Sequence, residues 1–213
     1  MAAVLVIGAS RGIGLETVKR GLAAGHRVRA LARSAATLPL DDPSLEKVAG
    51  DALDPGTVAH ALSGMEAVIQ ALGSTSLQSL VSGTDLFSKA TRILVDAMQA
   101  SGPRRLVAVT GLGAGDSRGR GGLLYDALVF PLVLKRIYDD KDVQEQMIRA
   151  STLDWTIVRP GLLTGGEATG RARALTNPAD WRVGPISRAD VAEFLVREAF
   201  ERGFVRQTPL LIQ

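Results

Sequence analysis

Short apolar runs recur along the 213-residue chain, with stretches of helical periodicity between them. Runs at 3–7, 27–32, 45–48, 67–71, 105–110, 156–159 and 209–212 read as strands, and helices begin near Gly12, Pro55, Thr84, Asp139 and Ser187. Apolar runs with helical segments between them are the pattern of a parallel sheet covered on both faces, the helices being the crossovers that parallel pairing requires. The expected fold is α/β, a doubly wound parallel sheet in a three-layer α/β/α arrangement. No internal repeat or low-complexity linker interrupts residues 1–213, so a single domain is expected, with small substrate-side elements at about 161–213. In Ser187-Arg188-Ala189-Asp190 the hydroxyl and the carboxylate are placed to satisfy the first turn of the last helix, and Pro185 fixes its approach.

Two stretches depart from this pattern. Residues 111–122 hold six glycines with Asp116, Ser117, Arg118 and Arg120, the composition of a mobile surface loop that is either a lid or a plain connection. Residues 123–134 are almost continuously apolar, but with Asp126 and a proline they fall well short of the ~20 residues of a membrane span. Core packing, a pocket wall, a subunit contact and a membrane-surface patch all fit that segment.

The most specific chemistry lies where the first strand meets the first helix, in Gly8-Ala9-Ser10-Arg11-Gly12-Ile13-Gly14. Gly8 permits a tight turn, Gly12 lets backbone approach a diphosphate, and Gly14 lets the helix pack closely on the sheet. Phosphate then sits at a helix N-terminus, where unpaired N–H groups and the dipole favour an anion. The strand before and the Leu15, Val18, Leu22 pattern after give these glycines the context of a Rossmann-like dinucleotide-binding turn.

Charge narrows the partners. With 25 Lys and Arg against 22 Asp and Glu the formal charge is +3, but the arginines are scattered and aromatics make up only 4%, so the stripe and stacking platform of a nucleic-acid binder are missing. A small anionic ligand suits this balance. Cysteine is absent and only His26 and His60 are available, which excludes a tetrahedral zinc site of the usual ligands and disfavours a His-based nucleophilic triad. The lack of Cys, of a cleavable leader and of a membrane span makes the cytoplasm the expected location, and symmetric pairing allows a homodimer.

Nicotinamide cofactors differ at the ribose 2′ position, where an acid about 20 residues past the glycines takes a free hydroxyl and an arginine takes a phosphate. The second strand, Arg27-Val28-Arg29-Ala30-Leu31-Ala32-Arg33, has no acid and ends in Arg33. NADP(H) is therefore expected before NAD(H), with Arg11 as a second cation for the same phosphate. A solvated strand-end charge is the plainer reading of Arg33. Ligands of such sheets lie beyond the carboxyl ends of the strands. That rule assigns Asp51 and Ala52 to the adenine, Ala71, Leu72 and Gly73 to the ribose and diphosphate, and Thr110, Pro160, Gly161 and Leu162 to the nicotinamide side. Gly8, Ser10, Arg11, Gly12, Ile13 and Gly14 complete the expected cofactor set.

These residues resemble the short-chain dehydrogenase/reductase superfamily, specifically its atypical NAD(P)H-binding branch that includes the biliverdin reductase B/flavin reductase type. The resemblance runs from Ala3 to about Gly165. Besides the glycine turn it rests on Ala32-Arg33-Ser34, Gly50-Asp51-Ala52, Arg104-Arg105-Leu106-Val107-Ala108-Val109-Thr110, Asp139-Asp140-Lys141, and Leu153-Asp154-Trp155-Thr156-Ile157-Val158-Arg159-Pro160-Gly161; Ile186-Ser187-Arg188-Ala189-Asp190-Val191-Ala192 adds to it. The superfamily carries a catalytic Tyr and, four residues later, a Lys on the same helix face. Lys141 takes the Lys place, Ile137 stands at the Tyr place, and Tyr138 is one residue off, about 100° around the helix. The Ser that the flavin-reductase type carries after its fifth strand is Gly111 here.

The resemblance implies Lys141 as holder of the nicotinamide ribose and Thr110 as the residue that positions the ring; an exposed Lys141/Glu145 pair at helical spacing is the alternative for the lysine. The implied function is an NADPH-dependent oxidoreductase passing hydride to a conjugated acceptor such as a flavin, quinone or pigment, or to a small carbonyl compound. Such a conjugated acceptor can take its proton from water. The missing Tyr and Ser motivate a second reading, a non-catalytic NADP(H)-sensing or scaffold protein. A sugar-nucleotide epimerase or dehydratase comes third, with only about fifty residues after the sixth strand for a substrate lobe.

Overall fold

The computed structural model describes residues 2–73, 84–119 and 135–213. The apolar segment 123–134 lies outside them, as do residues 120–122 of the glycine-rich stretch. Along the chain the elements are β1 (Ala3–Ile7), α1 (Gly12–Ala23), β2 (Arg27–Ala32), β3 (Leu45–Ala49), α2 (Pro55–Leu62), β4 (Ala67–Gln70), α3 (Leu86–Ser101), β5 (Arg105–Val109), α4 (Lys135–Ala150), β6 (Asp154–Pro160), β7 (Leu162–Thr164), β8 (Arg173–Leu175), β9 (Pro185–Ser187), α5 (Arg188–Glu201) and β10 (Leu210–Ile212).

An eight-stranded sheet runs in the order β3-β2-β1-β4-β5-β6-β10-β8. Every neighbouring pair is parallel except the β10–β8 edge, which is antiparallel. Because strand alternation sends successive side chains to opposite faces, β1 splits its residues between two cores. Val4 and Val6 join Val28, Ile69 and Val107 beneath α1 and α5, where Val18, Val191, Phe194 and Leu195 cover them. Leu5 and Ile7 join Leu31, Val68 and Leu106 beneath α2, α3 and α4, covered by Val58, Leu94, Met98 and Ile148. The result is a Rossmann-like three-layer α/β/α fold. Each large side chain buried this way contributes about 1.5–3 kcal/mol, which makes the central strands the anchor of the molecule.

Helix starts follow local chemistry in two cases and tertiary contact in a third. Asp54 accepts from the Thr57 amide at 2.7 Å ahead of Pro55, opening α2. Ser187 accepts from the Asp190 amide at 2.9 Å, opening α5. The Asp190 carboxylate accepts from the Ser187 hydroxyl at 2.7 Å within that first turn, and it also accepts from the Thr169 and Gly170 amides, which folds the 169–170 turn onto the helix. α4 is already helical at Lys135, ahead of the expected start near Asp139, and Asp140 lies inside it rather than capping it. Its carboxylate instead accepts from the Phe87 amide at 2.8 Å and closes the N-terminus of α3.

Three elements are additional to the expected pattern. β8 extends the sheet edge antiparallel to β10, while β7 and β9 pair as a separate two-stranded parallel sheet beyond the end of β6. The stretch after β5 also differs from a surface loop. Leu112, Gly113, Ala114 and Ser117 are buried, and Ser117 Oγ accepts from the Gly113 amide while donating to the Ala114 carbonyl. A buried ion pair, Arg105 with Glu198 at 2.6 Å, fastens the amino ends of β5 and β6 to α5, on the side of the sheet opposite the glycine turn.

Candidate active site

Strand order reverses between β1 and β4, and the connections that follow these two strands lead to opposite sides of the sheet. This is the switch point at which open α/β sheets bind ligands. Gly8 has φ 87°, and a Cβ on it would lie 2.7 Å from the Ala71 carbonyl, so the turn and the end of β4 touch only because Gly8 has no side chain. A Cβ on Gly14 would run into the Gly8 carbonyl oxygen, which brings α1 directly onto the turn. Gly12 differs from both: its φ is 58° and nothing lies within 4 Å of the position its Cβ would take. Arg11, the residue preceding α1, makes no side-chain cap to the helix. The helix therefore presents an uncapped N-terminus beside an open backbone surface, which fits a diphosphate.

The surrounding candidates divide by position. Arg11 and Arg33 are exposed and neither makes an ion pair among the described residues. Ser10 borders the turn, and Ile13 packs partly on the core beneath α1. Asp51 accepts from the Leu53 amide at 3.0 Å, tying its carboxylate to its own turn, and Ala52 and Leu72 lean on the other core. Gly73 has open space where a Cβ would stand. Pro160 is buried, Gly161 packs against the Gly184 carbonyl, and Leu162 stands 51% exposed at the start of β7.

At the carboxyl ends of β5 and β6 lies a buried ion cluster. Arg159, 0% exposed, forks Glu145 through Nε to Oε1 at 2.9 Å and Nη2 to Oε2 at 2.6 Å. Two parallel charge-assisted bonds fix both side chains. Arg159 Nη2 also donates to Asp116 at 2.6 Å, and Thr110 Oγ1 donates to Glu145 at 2.8 Å. Arg149 approaches Glu145 at 3.6 Å from the solvent side. Indoles flank both guanidiniums, Trp181 at 5.2 Å from Arg159 and Trp155 at 6.0 Å from Arg149. Desolvation opposes ionisation of Asp116, but the Arg159 hydrogen bond and charge outweigh it and hold this carboxyl below its ordinary range. Asp142, which accepts from the Gly115 amide at 2.6 Å, is raised by desolvation despite that bond and the nearby Arg118.

Thr110 and Lys141, both expected at the nicotinamide side, are in contact: Lys141 Nζ donates to the Thr110 carbonyl at 2.6 Å. The reading of Lys141 and Glu145 as an exposed pair is overturned. They are 9% and 1% exposed, and Glu145 is taken by Arg159 and Thr110. Ile137 is buried at 7% exposure. The residues that sequence reasoning missed are Arg159, Asp116 and Asp142. The available signal was an arginine within the apolar run of β6, which must find a buried partner. Behind the cluster Gln70, Thr91 and Gln144 share buried hydrogen bonds that join the end of β4 to α3 and α4. Among the described residues no group of His, Cys, Asp or Glu is arranged to hold a metal, and no helix is long and apolar enough to cross a membrane.

Burial depresses Lys141 to about 8, against the pull of Glu145 and Asp140. The unfolded chain, with the ordinary lysine value of 10.5, then binds more protons than the folded one between about 8 and 10.5, so stability rises with pH across that window. The contribution is at most about 3 kcal/mol. Urea unfolding midpoints measured across the window should climb more for the parent protein than for Lys141→Met. Parallel slopes would show that Lys141 is not buried as an ammonium.

A parallel sheet with a glycine turn at its switch point defines a protein of the NAD(P)-binding, oxidoreductase-type Rossmann class. The chain belongs to the NAD(P)H-binding family, whose model matches residues 8–202. It is 31% identical over 199 residues to the Arabidopsis thaliana uncharacterized protein At2g34460, chloroplastic, covering 91% of this chain and 70% of that one. To the photosystem II assembly factor Ycf39 of Synechocystis it is 28% identical over 214 residues; the match covers 96% of this chain but only 60% of that relative's length. Among solved structures, ChuY, an anaerobillin reductase from Escherichia coli O157:H7, superposes with a TM-score of 0.79 at 28% identity, over 99% of this chain and 97% of that one. A short-chain dehydrogenase/reductase of the wide type from Veillonella parvula, solved with NADP, gives a TM-score of 0.83 at 17% identity, over 100% and 94%, a likeness of fold alone.

Proposed function

We propose that the chain is an NADPH-dependent reductase that passes hydride to a conjugated acceptor such as a flavin, a quinone or a pigment, or to a small carbonyl compound. The observation that carries this reading is the uncapped, open N-terminus of α1 at the switch point, with Arg33 exposed and, among the described residues, outside any ion pair at the end of the adjacent β2. Gly8, Ser10, Arg11, Gly12, Ile13 and Gly14 would hold the diphosphate, and Arg33 with Arg11 the 2′-phosphate. Ala71, Leu72 and Gly73 would clear room for the ribose, and Asp51 with Ala52 would border the adenine. Thr110, Lys141, Pro160, Gly161 and Leu162 would line the nicotinamide end. When bound, the reduced nicotinamide supplies the hydride. ChuY is named an anaerobillin reductase, which supports a pigment among the acceptors. We take the whole chain as one working unit, with 161–213 on the substrate side.

Titrations of NADPH and NADH test the first step. A charge-assisted contact to the 2′-phosphate of about 1.5–3 kcal/mol should favour NADPH roughly tenfold to a hundredfold, and Arg33→Asp should erase or invert that ratio. Equal affinity of the parent protein for both cofactors would defeat the argument for NADPH.

One observation favours a second reading, an NADP(H)-sensing or scaffold protein: buried Ile137 stands where the resemblance implies a catalytic Tyr, and one relative is named an assembly factor. Steady NADPH consumption with a flavin, quinone or dicarbonyl panel, lost in Lys141→Ala, decides for the reductase. Tight NADPH binding with no consumption decides for the sensor.

A further inference from the structure

The two carboxylates of the ion cluster are held differently. Glu145 is buried and takes the Nε–Nη2 edge of Arg159 as a fork. Asp116, whose side chain is 55% exposed, takes Nη2 alone: its Oδ1 accepts from Arg159 at 2.6 Å and from Arg149 Nη2 at 3.3 Å. Arg159 Nη1 is buried and has no hydrogen-bond partner among the described residues. A buried guanidinium nitrogen without an acceptor is costly. The Nη1–Nη2 edge is the one on which a carboxylate can place both oxygens in parallel bonds, and Asp116 uses half of it.

The loop that brings Asp116 here is one that can be displaced. Gly113, Gly115 and Gly119 all have left-handed φ values, 112°, 55° and 77°. A Cβ on Gly115 would lie 2.6 Å from Glu145 Oε2 and 2.7 Å from Arg159 Nη2, so the loop backbone rests directly on the ion pair without a side chain between. Beyond buried Ala114 the loop is tied to α4 by polar contacts near the surface: Asp142 accepts from the Gly115 amide at 2.6 Å, and Arg118 donates to Asp139 and Asp142. Contacts of this kind exchange with water at little cost. Thr110 joins the cluster to the expected nicotinamide end, since its carbonyl accepts from Lys141 and its hydroxyl donates to Glu145.

We propose that Arg159 and Arg149 form a docking site for a carboxylate of the acceptor, and that Asp116 fills this site until the acceptor arrives, a role that rests on the reductase reading above. The acceptor class narrows to conjugated molecules that bear a carboxylate at their rim. The exchange is carboxylate for carboxylate: two cations still face two carboxylates, and the incoming group adds the bond that Nη1 lacks. With Asp116 swung away and nothing in its place, Arg149 and Arg159 share Glu145 alone, so the site favours an anion over a neutral group. Trp181 and Trp155 stand over the two guanidiniums and keep them in position through the exchange.

Two measurements test the assignment, on side chains exposed enough to replace. In Asp116→Ala a free carboxylate should take the place of the missing one: the thermal midpoint should rise by about 2 °C or more in sodium acetate over sodium chloride of equal ionic strength, and the rise should vanish when Arg149→Met is added. The parent, Asp116→Ala and Arg149→Met, each saturated with NADP+, are then titrated calorimetrically with lumiflavin and with 10-carboxymethylflavin, the same ring without and with a carboxylate. The ratio of the two affinities should favour the carboxylate in the parent, grow about tenfold in Asp116→Ala and fall in Arg149→Met. A midpoint indifferent to acetate, or an affinity ratio that the two variants leave unchanged, overturns this proposal and leaves the reductase reading to its own test of NADPH consumption. Carboxylate binding as expected, in a protein that consumes no NADPH with either flavin or with the quinone and dicarbonyl panel, supports the anion site and overturns its part in reduction.

Discussion

Arg159→Leu is expected to destabilise the protein by about 3 kcal/mol, read as a lowered urea midpoint at unchanged slope. The guanidinium is 0% exposed and supplies both bonds of the fork on Glu145, itself 1% exposed. Removing it leaves a buried carboxylate whose remaining partners among the described residues are the Thr110 hydroxyl and Arg149 at 3.6 Å. Breaking one side of a buried pair costs about 3–5 kcal/mol in general. The lower end applies here because Arg149, though 39% exposed and screened by water, offsets part of the loss. The double change Arg159→Leu with Glu145→Leu should recover most of the stability, since the buried pair is then removed together and Lys141 keeps Asp140 nearby. A single variant within about 1 kcal/mol of the parent would mean that Glu145 reaches water in solution.

The second large effect separates two glycines of the same turn. Gly14→Ala drives a methyl group into the Gly8 carbonyl, a contact of backbone with backbone that no rotamer relieves. The helix must lift from the strand, at about 3 kcal/mol, the upper part of the range for overpacked sites. Gly12→Ala meets nothing within 4 Å and bears only the left-handed φ of 58°, a cost of about 1–2 kcal/mol. Its methyl group instead enters the open surface at the helix N-terminus, so NADPH affinity should fall about tenfold or more while the fold survives. Unfolding without cofactor and an NADPH titration on both variants give the comparison. Gly12→Ala protein that binds NADPH as tightly as the parent would remove the diphosphate from this turn.

What the chain order disclosed, and what it concealed, follows from the range of the interactions. The core strands and the glycine turn are local signals: an apolar run bounded by turn residues is a strand wherever it pairs, and Gly8, Gly12 and Gly14 do their work within a single crossover. β7, β8 and β9 span three residues each, too short for a period, and exist because β10, β9 and β7 find partners distant in sequence. Asp139-Asp140 looks like a helix start because acids favour first turns, yet Asp140 is spent on α3. Lys141 and Glu145 have the spacing of a surface pair, but tertiary packing sends one to the Thr110 carbonyl and the other to Arg159. Arg159 in its apolar run signals a buried partner, but the carboxylate it pairs with lies on another element. Asp51 shows the converse, a residue at a suggestive strand end whose side chain serves its own turn.

The chain has two tryptophans, and each indole stands over one of the guanidiniums that approach Glu145. Emission excited at the red edge of the ultraviolet band, where indole absorbs and phenol does not, therefore arises from rings beside this one cluster. The molecule carries its own optical gauge, unlabelled, of whatever disturbs the carboxyl edge of β6, whether a bound nucleotide, a titrating acid or a lost ion pair.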